Sequence, residues 1–223
     1  MSDAGAREPA DQMGPVLEAW RQSQGSSWFG APADEATIAQ VELTLGRPLP
    51  PALKSLYRLS DGMAPLDGNL MIEPMSGAVD RGLVGLAERL RGWDWPIPDE
   101  LLVFGGNGGD DQFGLWYPQG ASASDPTPVV MVGAVFEPAC LALVGTDLPR
   151  FLRAWSGYYL VQGSSPAPAL DALELPAELR VIDDAAGLEP YFRWADPDLP
   201  DPDPDPYAKG LDARSLAEII HAL

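Results

Sequence analysis

Phe104-Gly-Gly-Asn-Gly-Gly-Asp-Asp-Gln-Phe-Gly-Leu-Trp-Tyr117 reads as an apolar strand, a glycine turn with acids just beyond it, and a second aromatic strand. Gly and Asn tolerate φ > 0, so Asn107-Gly108 predicts a tight hairpin turn, with Asp110 and Asp111 where the second strand begins. Leu101 to Phe104 and Gln112 to Trp116 are then paired strands. Downstream, Pro128 to Val132 and Ala139 to Val144 predict two more, joined around Phe136-Glu-Pro138. Upstream, Leu70-Met71-Ile72 predicts a short one. Adjacent strands joined by short turns make an antiparallel sheet rather than repeated βαβ units.

Helical signals flank these strands. Asp34 is a cap for a helix carrying Ile38, Val41 and Leu45, and Gly46 ends it. Pro50-Pro51 opens a second helix, whose buried stripe is Leu53, Leu56, Tyr57 and Leu59 and which stops at Asp61-Gly62. Leu83, Leu86 and Leu90 share one face of a third. Asp147 caps a fourth through Leu148, Phe151, Leu152, Trp155 and Tyr159. Helices before and after a run of strands predict an α+β fold.

The ends of the chain differ in character. Residues 1–14 read as disordered, Val16 to Gln22 as a short helix with Leu17 and Trp20, and Trp28-Phe29 as part of a loop. After Gln162 the chain is rich in Pro, Ala and Ser. Leu188 to Trp194 could add one or two helical turns. Asp196 to Pro206 is nearly all Asp and Pro, the composition of an extended, charged connector. A terminal amphipathic helix follows, capped by Asp212, with Leu216, Ile219, Ile220 and Leu223 on one side. The expected organisation is an N-terminal segment over 1–31, a domain over 32–162, a Pro/Asp-rich extension over 163–206 and the terminal helix over 207–223.

Fourteen Lys and Arg against 33 Asp and Glu give a formal charge of −19 over 223 residues. Such a surface repels nucleic acid and anionic membranes, and it either serves solubility or steers a basic protein partner. Cys140 is the single cysteine, which fits a reducing, cytoplasmic setting. Met1 to Gly14 carries Asp3, Arg7, Glu8 and Asp11 and does not read as a signal peptide. No run approaches the roughly 20 apolar residues of a spanning helix.

Known chemistries find little to use. The glycine run lacks the Gly-Lys-Ser/Thr of a phosphate loop, leads into a strand rather than a helix, and is followed by acids that repel phosphate. Asp201-Pro-Asp-Pro-Asp205 has alternate acids, but a calcium loop starting at Asp201 would meet Pro206 and Asp212 where it needs Gly and Glu. The sole histidine, His221, lies at the end of the chain. Cys140 sits in an apolar strand, where a thiol is inert. No cofactor is expected. Trp28, Trp93 and Trp95 lie in loops and suit protein contacts, whereas Trp116 and Trp155 sit in periodic elements that read as core.

Ile38-Ala-Gln-Val-Glu-Leu-Thr-Leu-Gly-Arg-Pro-Leu-Pro50, then Leu53-Lys-Ser-Leu-Tyr57 and Asp61-Gly62, followed by Phe104-Gly105, the Asn107 to Asp111 turn and Phe113, resemble the SUKH superfamily of cell-wall assembly regulators and bacterial toxin-immunity domains. The resemblance covers roughly residues 34–160. It implies a mixed, mainly antiparallel sheet packed with helices, and a protein binder rather than an enzyme. An immunity protein that neutralises a basic toxin domain, often a nuclease in the proteins it resembles, is the first expectation, and a regulatory scaffold is the second. The contact residues expected are Asp61, Trp93, Trp95, Asp110, Asp111 and Trp116; for Asp61 a helix-end turn and for Trp116 a core position are the alternatives. The C-terminal extension and the stretch from Gln119 to Pro128 depart from the pattern.

Overall fold

Met13, Val16, Leu17 and Trp20 recur at helical spacing, and burying that stripe makes α1 (Pro9–Gln22). The computed structural model describes residues 9–23, 28–75, 82–92, 97–122, 127–133, 140–181, 187–200 and 213–222. Within them α1 begins well before the expected Val16, because Met13 completes the buried stripe. Of the stretch read as disordered, residues 1–8 lie outside the described residues.

The other helices follow their caps. The Asp34 carboxylate accepts a 2.7 Å hydrogen bond from the Thr37 amide and starts α2 (Glu35–Leu45), which Gly46 closes at φ 68°. Pro50-Pro51 opens α3 (Pro51–Leu59), burying Leu53, Leu56 and Tyr57. Leu59 is instead exposed at the helix end, turned from the buried stripe. Then come α4 (Leu83–Arg91) and α5 (Leu148–Gln162), the latter capped by Asp147 through the Arg150 amide at 2.8 Å. In the extension lie α6 (Ala167–Ala172), α7 (Glu189–Ala195) and α8 (Ala213–Ile220). The expected cap Asp212 lies outside the described residues.

Among the described residues, seven strands form one sheet in chain order: β1 (Trp28–Phe29), β2 (Met63–Ala64), β3 (Met71–Ile72), β4 (Leu101–Gly106), β5 (Gln112–Trp116), β6 (Val129–Gly133) and β7 (Cys140–Gly145). Every pairing is antiparallel. The α+β class holds, with no parallel pair among the described strands. Trp28-Phe29, read as loop, is an edge strand of two residues.

The register sorts residues onto two faces. One cross-strand row runs Phe29, Met63, Ile72, Gly105, Phe113, Met131, Ala142. This inner face packs against α1, α3 and α5 in the main core, where Phe113 meets Phe151 and Trp155 with ring centroids 4.9 and 4.8 Å apart. Each large apolar side chain fully buried there contributes roughly 1.5–3 kcal/mol. The adjacent row, Trp28 and Ala64 then Met71, Gly106, Gln112, Val132 and Leu141, lies on the outer face. A second core forms there from Leu101, Val103, Trp116, Val130, Val132 and Leu141, covered by Leu86 and Leu90 of α4 and by Leu216 and Ile220 of α8. Leu83, expected on the same face of α4, joins the inner core instead.

The main core crosses both boundaries drawn from the sequence at 31/32 and 162/163. Trp20 of α1 donates from Nε1 to Ser156 Oγ of α5 at 2.8 Å, and Leu170, Leu173, Leu175 and Tyr191 are buried with them. The Asp196-to-Pro206 connector is corrected at its start. Asp196 is fully buried and accepts from the Thr146 amide at 2.6 Å, the Thr146 hydroxyl at 2.9 Å and Arg150 Nη1 at 3.0 Å. Its sequence neighbours suggest a solvated run, but these three donors sit at the β7–α5 junction, about fifty residues earlier.

Candidate functional site

The hairpin is built around Asn107. Gly106 pairs with Gln112, so residues 107 to 111 form the connection, longer than the two-residue Asn107-Gly108 turn expected. The longer loop closes because the Asn107 side chain takes the part of a backbone turn: Oδ1 accepts from the Gly109 amide at 2.9 Å, and Nδ2 donates to Asp111 Oδ2 at 2.8 Å. The Asn107 amide also donates to the Asp111 carbonyl at 3.1 Å. Gly108 holds φ 74°, and a Cβ there would lie 2.4 Å from the Gly68 carbonyl oxygen, so only glycine fits.

The two hairpin acids differ. Asp110 is exposed at the tip. Asp111 is half-buried, and its Oδ1 is shut from solvent without a hydrogen-bond donor. Burial first, then the neighbouring Asp110 charge, push the Asp111 carboxyl above the usual aspartate range, against the Asn107 hydrogen bond that lowers it. Asp110 is thus the acid presented outward, and Asp111 braces the loop.

Two of the expected contact residues, Asp61 and Trp116, are largely buried. Asp61 is only 8% exposed, and its Oδ1 accepts the Met75 amide. It ties the end of α3 to the segment just after β3, and its amide donates to the Ala31 carbonyl at 2.8 Å. Its charge helps, after burial, to push the Tyr57 phenol well above the usual range; that hydroxyl donates to the Glu73 carbonyl at 2.6 Å. Trp116 is 6% exposed and sits in the outer-face core. Asp61 is among the residues that line a groove beside Trp28, whereas Trp116 fills a place inside the outer-face core. Trp93 and Trp95 lie outside the described residues, as does the Cys140 side chain. Trp28, by contrast, is 55% exposed.

Two open grooves flank these features. One of about 610 Å³ lies between the α2 terminus and the start of β4, lined by Thr44, Arg47, Glu88, Asp99, Glu100 and Gln119 among others. Arg47 donates to the Tyr117 carbonyl at 2.6 Å and lies over that ring, 6.0 Å from its centroid. The other, about 410 Å³, lies beside Trp28 and includes Pro32, Asp34, Thr37 and Pro74. Among the described residues, no group of three or more His, Cys, Asp or Glu side chains gathers as a metal site would, and no helix is long and apolar enough to cross a membrane. His221 is exposed just beyond α8.

The family model described as the SMI1 / KNR4 family (SUKH-1) covers residues 32–154, more than half of the chain, from the loop before α2 into α5. No curated protein matches the chain.

Proposed function

The chain belongs to the SMI1 / KNR4 family (SUKH-1), and on that footing we propose that it is a non-enzymatic protein-binding domain of the immunity type, which neutralises a basic toxin domain by covering it. The observation that carries this reading is the charge: −19 in formal units, with Asp110 held outward on a loop that its own hydrogen bonds shape. A rigid loop presents an acid to a partner without the ordering cost of a mobile one. A strongly acidic surface also speeds encounter with a basic domain and turns away copies of itself.

The test is affinity capture of the tagged full chain from its native cells at low and moderate salt. The expected result is one stoichiometric basic protein, released as salt rises, that loses its toxic activity when the two are mixed. Several weak partners, bound without regard to salt, would sink the immunity reading and move the weight to a regulatory scaffold.

A further inference from the structure

Among the described residues, the outer face of the sheet is covered at one end only. Over β4–β7, α4 and α8 seal it. Along the same face toward β1 that cover stops: Met71 on β3 is 44% exposed and Trp28 on β1 is 55% exposed. Their inner-face neighbours Ile72 and Met63 are 2% and 1% exposed, so these strands are firmly seated and the exposure is one-sided. Ala64 is paired with Trp28 and stands on β2 between β1 and β3. Two large apolar side chains thus flank a small one across three neighbouring strands.

Acids stand at the edge of this patch. A Cβ on Gly108 would lie 3.6 Å from Met71 Sδ, so the hairpin tip that carries exposed Asp110 adjoins Met71. At the other end, Trp28 shares its groove with Asp34, whose carboxyl its hydrogen bonds with Thr37 hold below the usual range.

We propose that the Trp28–Ala64–Met71 face is the docking surface of this protein, and that its occupant is a basic protein domain that lays an apolar side chain over Ala64 and sets Lys or Arg against Asp110 and Asp34. The inference rests on the binding reading above and specifies where that binding occurs. Trp is an anchor residue enriched at interface centres, and Met adapts its shape to a partner. A basic occupant is favoured over a second copy because two chains of charge −19 repel, whereas a basic domain is drawn to the same acids.

The experiment places a photo-reactive benzoylphenylalanine at position 28 or 71 of the full chain in its native cells. Leu43 and Val181, 75% and 71% exposed, serve as control positions. The expected result is one basic protein cross-linked from 28 and from 71, and none from 43 or 181. That protein, purified and titrated against the full chain, should bind Trp28→Ser and Met71→Lys at least about 30-fold more weakly and Leu43→Ser unchanged. Unaltered urea midpoints would show that the variants are folded. A partner captured only from 43 or 181, or affinities within about 3-fold of the parent, would overturn the surface while the binding reading stands. Capture of a second copy of this chain would replace the basic occupant with self-association. No adduct from any of the four positions would overturn the surface, while the binding reading is decided by the affinity capture above.

Discussion

Replacing Asp196 by alanine tests whether the C-terminal extension is latched to the body of the fold. The carboxylate is fully buried and takes hydrogen bonds from the Thr146 amide, the Thr146 hydroxyl and Arg150. Removing one partner of a buried pair costs roughly 3–5 kcal/mol when the other charge is stranded. Arg150 is not stranded: it is 35% exposed and keeps Asp198 at 2.8 Å and Asp147 at 3.4 Å. The Thr146 amide is left without its acceptor, which alone costs about 1–3 kcal/mol. The expected loss is therefore about 2–4 kcal/mol for Asp196→Ala and about 1–2 kcal/mol for Asp196→Asn, which keeps an acceptor for Thr146. For a chain of this length the alanine variant should melt roughly 4–16 °C lower. Asp198→Ala is the control: Asp198 is 69% exposed, and an exposed pair is worth about 0–1 kcal/mol. Urea unfolding followed by tryptophan fluorescence gives the three values. If Asp196→Ala falls within about 0.5 kcal/mol of Asp198→Ala, the latch is not there and the extension is held by its apolar contacts alone.

Two glycine substitutions should act in opposite directions: Gly14→Ala, in α1 with open space at its Cβ position, should stabilise by about 0.5–1 kcal/mol, and Gly105→Ala, whose Cβ would meet the Met71 carbonyl oxygen 1.9 Å away, should cost roughly 2–3 kcal/mol; urea midpoints check both. Asp111→Asn should stabilise the protein at pH 7. Because the folded state raises this carboxyl's pKa, wild-type stability from this group falls as pH rises from the ordinary aspartate value of 3.8 through the raised value, so the advantage of Asn should vanish below that window; equal stability at pH 7 would refute the burial penalty. Residues 32–162 expressed alone should bind a hydrophobic dye and lose the cooperative urea transition of the full chain, since they lack Trp20 and Tyr191 of the main core.

What the sequence shows most clearly is whatever local chemistry decides. Asp34 and Gly46 bracket α2, Pro50-Pro51 opens α3, Asp147 opens α5, and the strands on either side of Asn107 pair as the glycine run implies. What it hides depends on distant partners. Asp196 looks like one more acid in an Asp/Pro run, and only Thr146 and Arg150 make it a buried anchor. Asp61 looks like a helix-end surface acid until the Met75 amide arrives at it. Trp116 is ambiguous because the sheet is covered on both faces over β4–β7, so alternation along β5 separates two cores rather than core from solvent. Trp28-Phe29 is too short a strand to carry a period-two signal, and its pairing with Met63-Ala64 is fixed from across the sheet. Of the candidate site, Asp110 is legible as an exposed loop acid, whereas Met71 is hidden inside a three-residue apolar run that reads simply as strand.

The unequal cover of the outer face bears on how an apolar patch can stay open on so acidic a chain. An exposed edge strand beside exposed Trp and Met side chains invites pairing with another chain. Here the edge strand offers only two residues, too few for a stable added strand. The patch is bordered by acids on a chain of charge −19, so an approaching copy meets like charge before it meets the apolar surface, and the barrier weakens only as salt screens it. A basic domain meets the reverse: attraction at long range, then a small apolar seat on a firm sheet. Among the described residues, covering β4–β7 with α4 and α8 while leaving β1–β3 open confines the apolar exposure of this face to the stretch that the acids border.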